Sequence, residues 1–152
     1  MEIERKYLIS EISFDLSGFK RRHIEQGYLC TEPVVRIRQD NDKYELTYKS
    51  KGLMVREEYN MPLTKDAYEH LKTKVDGRII SKDRYMIPLC ANLMIELDVF
   101  ENIFQEGTNK PLILAEVEFP DVEDANAFVP PKWFGEDVTY SSKYHNSNLS
   151  KL

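Results

Sequence analysis

Apolar and polar residues alternate along most of this chain, and this period of two predicts β-strands. The alternation is clearest in V-V-R-I-R-Q, K-Y-E-L-T-Y-K and L-M-I-E-L-D-V-F. Successive side chains of a strand point to opposite sides of its sheet, so each segment has one apolar face and one charged face. Eight such segments are predicted, at about residues 2–9, 22–30, 34–39, 43–50, 54–61, 78–88, 93–100 and 112–119.

Two or three short helices are predicted between and after these strands. Thr64 suits the N-cap of a helix of about ten residues, and Gly77 is predicted to end it. Asp121 can cap a second helix that runs to Phe128. Because tight turns join several strands and no series of crossover helices does, the sheet is predicted to be antiparallel. The fold class is therefore α+β, in one domain over residues 1–152.

The overall charge and hydropathy limit the classes of function. A formal net charge of −5 and a pI near 5.3 argue against a general nucleic-acid-binding surface, so no nucleic-acid partner is expected. No apolar run approaches the roughly 20 residues of a membrane-spanning helix, and no signal-peptide pattern is visible. These features predict a cytoplasmic protein with no membrane partner. A homodimer is compatible with them.

The charged residues of the predicted strands occur in pairs of one sign, two positions apart. The pairs are Glu2/Glu4, Glu96/Asp98, Glu116/Glu118, Arg36/Arg38 and Lys82/Arg84, with Lys6, Lys49 and Arg56 as further cations and Glu58 as a further carboxylate. If the sheet closes into a barrel, these side chains line its interior and the apolar ones pack outward. The alternative is a charged outer face with weak surface salt bridges. The pattern alone leaves both interpretations open.

A closed interior with near balance of both signs favours a particular kind of ligand. Buried charges are costly unless they are paired or bind ions. Carboxylates hold a hard divalent cation, whereas arginine and lysine hold phosphoryl oxygens. A polyphosphate that binds together with a divalent metal ion satisfies both sets.

These residues resemble a known family. The segment E-I-E-R-K at residues 2–6 matches the ExExK signature of CYTH domains, also called triphosphate tunnel metalloenzymes. R-I-R at 36–38, L-T-Y-K ending at 49, K-D-R-Y at 82–85, E-L-D-V-F at 96–100, A-E-V-E-F at 115–119 and W-F-G-E-D-V-T at 133–139 follow in the family's order. The resemblance therefore covers nearly the whole chain.

The resemblance implies an eight-stranded antiparallel closed β-barrel, the triphosphate tunnel, with short helices packed outside. It implies Mg²⁺ or Mn²⁺ as cofactor and a small-molecule triphosphate as substrate. Metal ligands would come from Glu2, Glu4, Glu116 and Glu118. The catalytic group would comprise Glu2, Glu4, Lys6, Asp98 and Glu116. Substrate contacts would come from Lys6, Arg36, Arg38, Lys49, Arg56, Glu58, Lys82, Arg84 and Glu96.

The leading hypothesis is metal-dependent hydrolysis of inorganic triphosphate, because the chain is compact and has no evident module for a base, a thiazole or RNA. Phosphoryl transfer needs positioning and charge stabilisation, so no nucleophilic side chain is required. The alternatives are a class IV adenylate cyclase, a thiamine triphosphatase and a non-catalytic polyphosphate-binding domain. One departure is Lys143-Tyr144, where many relatives carry an arginine before the tyrosine. His23, His70 and His145 are not spaced as a metal cluster and are predicted to be surface or packing residues.

Overall fold

The computed structural model describes residues 1–90 and 92–152 and is dominated by one antiparallel sheet. Its strands are β1 (Glu2–Leu8), β2 (Lys20–Thr31), β3 (Val34–Asp40), β4 (Lys43–Lys49), β5 (Val55–Arg56), β6 (Glu58–Leu63), β7 (Asp76–Pro88), β8 (Met94–Phe104) and β9 (Pro111–Glu118). The helices are α1 (Lys65–Lys72), α2 (Val122–Ala127) and α3 (Asn146–Leu149), with a 3₁₀ turn at Ser142–Tyr144. Within the described ranges, no helix is both long enough and apolar enough to cross a membrane.

The sheet curls into a nearly closed barrel. Its strand order is β5-β1-β9-β8-β7-β2-β3-β4-β6, so β5 and β6 are the two edge strands. A single residue, Glu57, separates these two edges in the sequence, so the chain itself joins one edge to the other. The predicted antiparallel barrel is confirmed. There are nine strands instead of eight because the segment predicted at 54–61 is interrupted at Glu57 and pairs with β1 before the break and with β4 after it.

The hydrophobic core lies outside the barrel, between the sheet and the segments that cover it. Ile3, Tyr7, Leu97 and Val117 are buried there together with Phe134. The opposite faces of the same strands carry the charged residues and point inward. The predicted alternation therefore places the apolar set outward and the charged set inward, and each fully buried large apolar side chain contributes roughly 1.5 to 3 kcal/mol.

Local capping explains where the helices begin. Thr64 Oγ1 accepts a hydrogen bond from the Ala67 amide at 3.1 Å, and the carboxylate of Asp121 accepts one from the Asp124 amide at 2.7 Å. Both predicted N-caps are confirmed. The predicted end of the first helix at Gly77 is wrong, because α1 already ends at Lys72.

The C-terminal segment, residues 138–152, crosses one end of the barrel. The Val138 amide donates to the Lys6 carbonyl of β1, and the Arg78 amide of β7 donates to the Ser150 carbonyl, both at 2.8 Å. Leu149 is buried in a second apolar cluster with Tyr28 of β2. This segment therefore covers one end of the barrel, whereas Glu118 on the strand wall is exposed to solvent.

Gly77 is the residue whose substitution should loosen this closure. Its φ of +67° is one that L-residues rarely adopt, and an added Cβ would lie 2.3 Å from the Ser150 carbonyl oxygen. Gly107 has a similar φ of +72°, but among the described residues no atom lies within 4 Å of an added Cβ. We expect Gly107→Ala to lower the free energy of unfolding by about 1 to 2 kcal/mol. Gly77→Ala should lower it further, because it also displaces Ser150.

Urea denaturation of both variants checks this expectation, and limited proteolysis followed by mass spectrometry reports on the C-terminal segment. Gly77→Ala should expose residues 138–152 to cleavage, whereas Gly107→Ala should not. Equal losses of stability and equal cleavage would show that the segment is not held through Gly77.

Candidate functional site

The barrel encloses a cavity of about 290 Å³ that is lined almost entirely by polar groups. Most of the predicted site residues line it: Glu2, Glu4, Lys6, Arg36, Arg38, Lys49, Arg56, Glu58, Arg84, Glu96, Glu116 and Glu118. The alternating faces of separate strands thus converge on one interior, and the alternative of a charged outer sheet face does not apply to them.

Strand register determines which of these side chains are neighbours. Glu4 of β1 lies opposite Glu118 of β9, and Lys6 lies opposite Glu116. Glu116 in turn lies opposite Glu96 of β8. Directly paired residues of antiparallel strands share one face of the sheet, so this part of the cavity wall is rich in carboxylates. We call Glu2, Glu4, Glu116 and Glu118 the acidic wall.

The acidic wall has too little positive charge of its own. Within the described chain, neither Glu4 nor Glu118 has a side-chain hydrogen bond or an ion pair. Burial, followed by repulsion from Glu116 and Glu2, raises the pKa of Glu4 to about 8. Burial and the charge of Glu2 also raise the pKa of Glu118. Carboxyl groups in this condition bind a cation readily, because a cation removes the repulsion between them.

The opposite part of the cavity has too little negative charge. Arg36 Nη2 donates to Thr47 Oγ1 at 3.1 Å, while its buried Nε has no partner among the described residues. Arg38 donates to Gln26 Oε1 from Nε at 2.9 Å and from Nη2 at 2.7 Å. No carboxylate in the described ranges lies within 4.0 Å of either guanidinium. Burial, then repulsion from Arg36 and Arg84, lowers the pKa of Arg38 to about 9.

Two lysines already pair with members of the acidic wall. Lys49 Nζ lies 2.8 Å from Glu2 Oε1, and Lys6 Nζ lies 3.3 Å from Glu116 Oε1. Burial alone would raise the pKa of Glu116, but Lys6 and Arg84 hold it well below its usual value. Of the four predicted metal ligands, therefore, two are paired with lysines and two, Glu4 and Glu118, are not.

The roles predicted in the cavity for Lys82 as a substrate contact and for Asp98 as a catalytic residue stay predictions. Neither is among the residues of the described chain that line it. Asp98 is fully buried and accepts hydrogen bonds from Lys82 Nζ at 2.6 Å and from Arg84 Nε and Nη2 at 2.7 and 2.8 Å. One carboxylate cannot offset two cations, and burial lowers the pKa of Lys82 to about 7 although Asp98 raises it. Together they position Arg84, which does reach the cavity.

The cavity also contains residues that the pattern did not predict. They are Arg22, Tyr28, Val34, Asp40, Glu45, His145, Asn146 and Ser147. Register shifts beside Tyr28 disturb the alternation of β2, so the inward-facing residues of this strand could not be predicted from the pattern. His145–Ser147 belong to the C-terminal segment, which has no strand period at all. His145, predicted to be a surface or packing residue, is half-buried and lines the cavity.

A separate group of potential metal ligands lies outside this cavity. The ligand atoms of His23, Asp83 and Glu101 lie within 4.8 Å of one another, on three adjacent strands. His23 Nδ1 and Asp83 Oδ1 are 2.9 Å apart and form a hydrogen bond. The prediction about the three histidines considered only their spacing along the chain. This group contains one histidine and two carboxylates, and only the pairing of the strands brings them together.

Comparison with known proteins identifies relatives over the full length of the chain. The family model described as the CYTH domain matches residues 1–152. An inorganic triphosphatase of Nitrosomonas europaea is 38% identical over 152 residues, covering 98% of this chain and 96% of that protein. An inorganic triphosphatase of Acetivibrio thermocellus is 37% identical over 155 residues, covering 99% and 93%.

Solved structures give the same picture of the fold. The crystal structure of an inorganic triphosphatase superposes with a TM-score of 0.69 at 35% identity and covers 100% of this chain and 95% of that one. A Hippeastrum protein described as having a dominant triphosphatase activity aligns over 84% of this chain and 83% of its own. Its TM-score is 0.58 at 18% identity, so it bears on the fold alone.

Proposed function

Because the chain belongs to the CYTH domain family, we propose that it hydrolyses inorganic triphosphate in its charged tunnel with the help of a bound divalent metal ion. One observation supports this proposal above all. Within the described residues, Glu4 and Glu118 of the acidic wall have no cation within 4.0 Å, and Arg36 and Arg38 have no carboxylate within 4.0 Å, although all four line the same cavity. A triphosphate that binds with a metal ion supplies both missing charges.

In this proposal the guanidinium groups of Arg36 and Arg38 bind the phosphoryl oxygens of the substrate. Both approach the cavity with unused donor capacity, and a guanidinium binds phosphoryl oxygens through two parallel hydrogen bonds. Folding has already removed most of the water around these two groups. A polyanion that binds them therefore displaces little further water. Arg56, which also lines the cavity, can extend this contact along the chain of phosphates.

The carboxylates of the acidic wall suit Mg²⁺ or Mn²⁺. Glu4 and Glu118 face each other across β1 and β9, and Glu2 lies two positions before Glu4. Oxygen donors of this type are the ligands that both ions prefer. When bound, the metal ion supplies positive charge that orients the phosphoryl oxygens and offsets their negative charge. The raised pKa of Glu4 is the observation on this chain that fits such a ligand.

The remaining charged groups hold the substrate in position for attack by water. Lys6 and Lys49 are buried beside Glu116 and Glu2, so their ammonium groups stay in fixed places. Arg84 is fixed by Asp98 and by Glu96, whose Oε2 accepts from Nη1 at 3.0 Å. Preorganised donors of this kind stabilise the charge that spreads over the oxygens of the transferred phosphoryl group.

A panel of substrates tests the proposal. Purified protein is given tripolyphosphate, thiamine triphosphate or ATP, each with Mg²⁺, with Mn²⁺ or with a chelator. We expect orthophosphate release from tripolyphosphate in the presence of metal, with a kcat/KM at least about tenfold above the other two substrates, and none with the chelator. Cyclic AMP formation from ATP would identify a cyclase, and binding of tripolyphosphate without turnover would identify a polyphosphate-binding domain.

Arg38→Gln tests, in the same assay, the role of a guanidinium that has no carboxylate partner within the described residues. We expect the KM for tripolyphosphate to rise at least about tenfold, because a charge-assisted contact contributes roughly 1.5 to 3 kcal/mol. Arg21→Gln is the matched control, since Arg21 lies on β2 with 61% of its side chain exposed. An unchanged KM in Arg38→Gln would mean that the substrate binds elsewhere.

A further inference from the structure

The closed end of the tunnel presents two neutral polar residues, His145 and Asn146, to the cavity. The segment that carries them is fixed from both sides. Lys6 Nζ donates to the Tyr144 carbonyl at 3.1 Å, and Leu149 is buried with Tyr28. These two side chains are therefore held at the end of the cavity that lies beyond Lys6, away from the mouth where Glu118 is exposed.

The imidazole of His145 makes no hydrogen bond within the described residues that would hold the segment together. His145 occupies the N-cap of α3, but its side chain makes no capping hydrogen bond. Among the described residues, no side chain or backbone group forms a hydrogen bond with its ring. Burial, then the charges of Lys6 and Arg56, lowers its pKa to about 4, so the ring is neutral near pH 7. A neutral imidazole still offers one N–H donor and one acceptor.

Asn146 has unused hydrogen-bonding capacity at the same place. Its Oδ1 is buried and has no partner in the part of the chain that the structure describes. A buried polar atom without a partner costs free energy, and native structures rarely keep one without a ligand or a water to satisfy it. Rotation about the last side-chain bond exchanges the amide oxygen and nitrogen, so Asn146 can present two N–H donors to an anion.

We propose that His145 and Asn146 bind, through neutral hydrogen bonds, the phosphoryl group of the substrate that lies farthest from the tunnel mouth. This subsite rests on the proposed function, since it takes the end of an inorganic triphosphate. Lys143 stands where many relatives carry an arginine, but it is not among the described residues that line the cavity. Its Nζ pairs instead with Glu106 at 2.8 Å. Neutral donors fix the orientation of the group without adding attraction for every anion alike.

Two substitutions with matched controls test the subsite. Asn146→Asp places a negative charge where the phosphoryl group would lie, and an acidic residue is tolerated in the first turn of a helix. We expect the KM for tripolyphosphate to rise about tenfold, with Asn109→Asp in an exposed loop unchanged. His145→Ala should raise KM about three- to tenfold. His70→Ala, on the exposed part of α1, should not.

An NMR titration gives a readout that a merely structural role would not move. The imidazole signals of His145, assigned by their loss in His145→Ala, should shift when tripolyphosphate is added without metal, while those of His23 and His70 stay in place. Urea midpoints of the variants should match that of the parent protein.

The outcomes separate the subsite from the proposed function. If the parent protein hydrolyses tripolyphosphate but both variants keep its KM, the subsite is wrong and the function stands. If the parent binds tripolyphosphate without hydrolysing it, the proposed function fails, and the His145 signals still decide the subsite. If calorimetry detects binding, with or without Mg²⁺, and those signals do not move under the same conditions, or if no binding is detected under either condition, the subsite is overturned.

Discussion

Glu4→Gln is expected to reduce hydrolysis of inorganic triphosphate by at least about a hundredfold while leaving the protein folded. Glutamine keeps the size of the side chain and one acceptor oxygen but removes the negative charge that a metal ion needs. Glu4 has no hydrogen bond or ion pair within residues 1–90 and 92–152, so the fold does not depend on its carboxylate. Steady-state rates with Mg²⁺ or Mn²⁺ measure the loss.

The same substitution should make the metal-free protein slightly more stable. Burial and the charges of Glu116 and Glu2 raise the pKa of Glu4 to about 8. A group whose pKa is raised on folding destabilises the folded state once the pH exceeds its unfolded pKa, so removing its charge is favourable near pH 8. Glu57→Gln, at an exposed position beside the tunnel strands, is the matched control and should change neither activity nor stability. Full activity in Glu4→Gln would remove the acidic wall from the mechanism.

Asp98→Ala is expected to lower the free energy of unfolding by about 3 to 5 kcal/mol. Asp98 is completely buried and is the shared partner of Lys82 and Arg84. Its removal leaves Lys82 buried without a carboxylate, and Arg84 keeps Glu96 at 3.0 Å. Urea denaturation measures the change.

Asp83→Ala is the matched control for this substitution. Asp83 is the next residue after Lys82 on β7, but its side chain points outward, where it pairs with His23. Its loss should cost less than about 1 kcal/mol, as for other partly exposed pairs. Adding Lys82→Met to Asp98→Ala should recover part of the stability, because it removes the orphaned ammonium group. A loss below 1 kcal/mol in Asp98→Ala would mean that this buried cluster does not hold the tunnel wall together.

The strand pattern predicted an antiparallel sheet with charges of both signs on one face of its strands, and the resemblance to the CYTH family, not the pattern, implied that the sheet closes into a barrel. Because the side-chain period of a strand is two, the sequence of each strand shows which residues share a face of the sheet. Closure depends on the interrupted segment around Glu57, which pairs with β1 before the break and with β4 after it. The break at Glu57 itself has no evident signal in the sequence.

Depth within the tunnel could not be predicted in the same way. Lys82 and Arg84 have the same spacing as Arg36 and Arg38, yet only Arg84 reaches the cavity while Lys82 is sealed beneath it by Asp98. Alternation predicts the face of the sheet on which a side chain lies, but it does not predict whether other side chains cover it. Packing across strands decides that, and it requires three-dimensional coordinates.

The end of the tunnel was also beyond prediction from pattern. His145 and Asn146 come from a short irregular segment whose path is fixed by distant contacts, such as the hydrogen bond from the Arg78 amide to the Ser150 carbonyl. No period in the segment distinguishes inward from outward residues. Contacts with the end of the barrel decide which side chains of this segment face the cavity.

The central claim is that the two walls of the tunnel are neutralised together by a metal ion and a polyanion. A crystal of the protein with tripolyphosphate and Mn²⁺, measured at the manganese absorption edge, tests it directly. The account predicts an anomalous peak between Glu4 and Glu118, with phosphoryl oxygens in contact with Arg36 and Arg38. Manganese at the outer cluster of His23, Asp83 and Glu101, with tripolyphosphate absent from the tunnel, would contradict it.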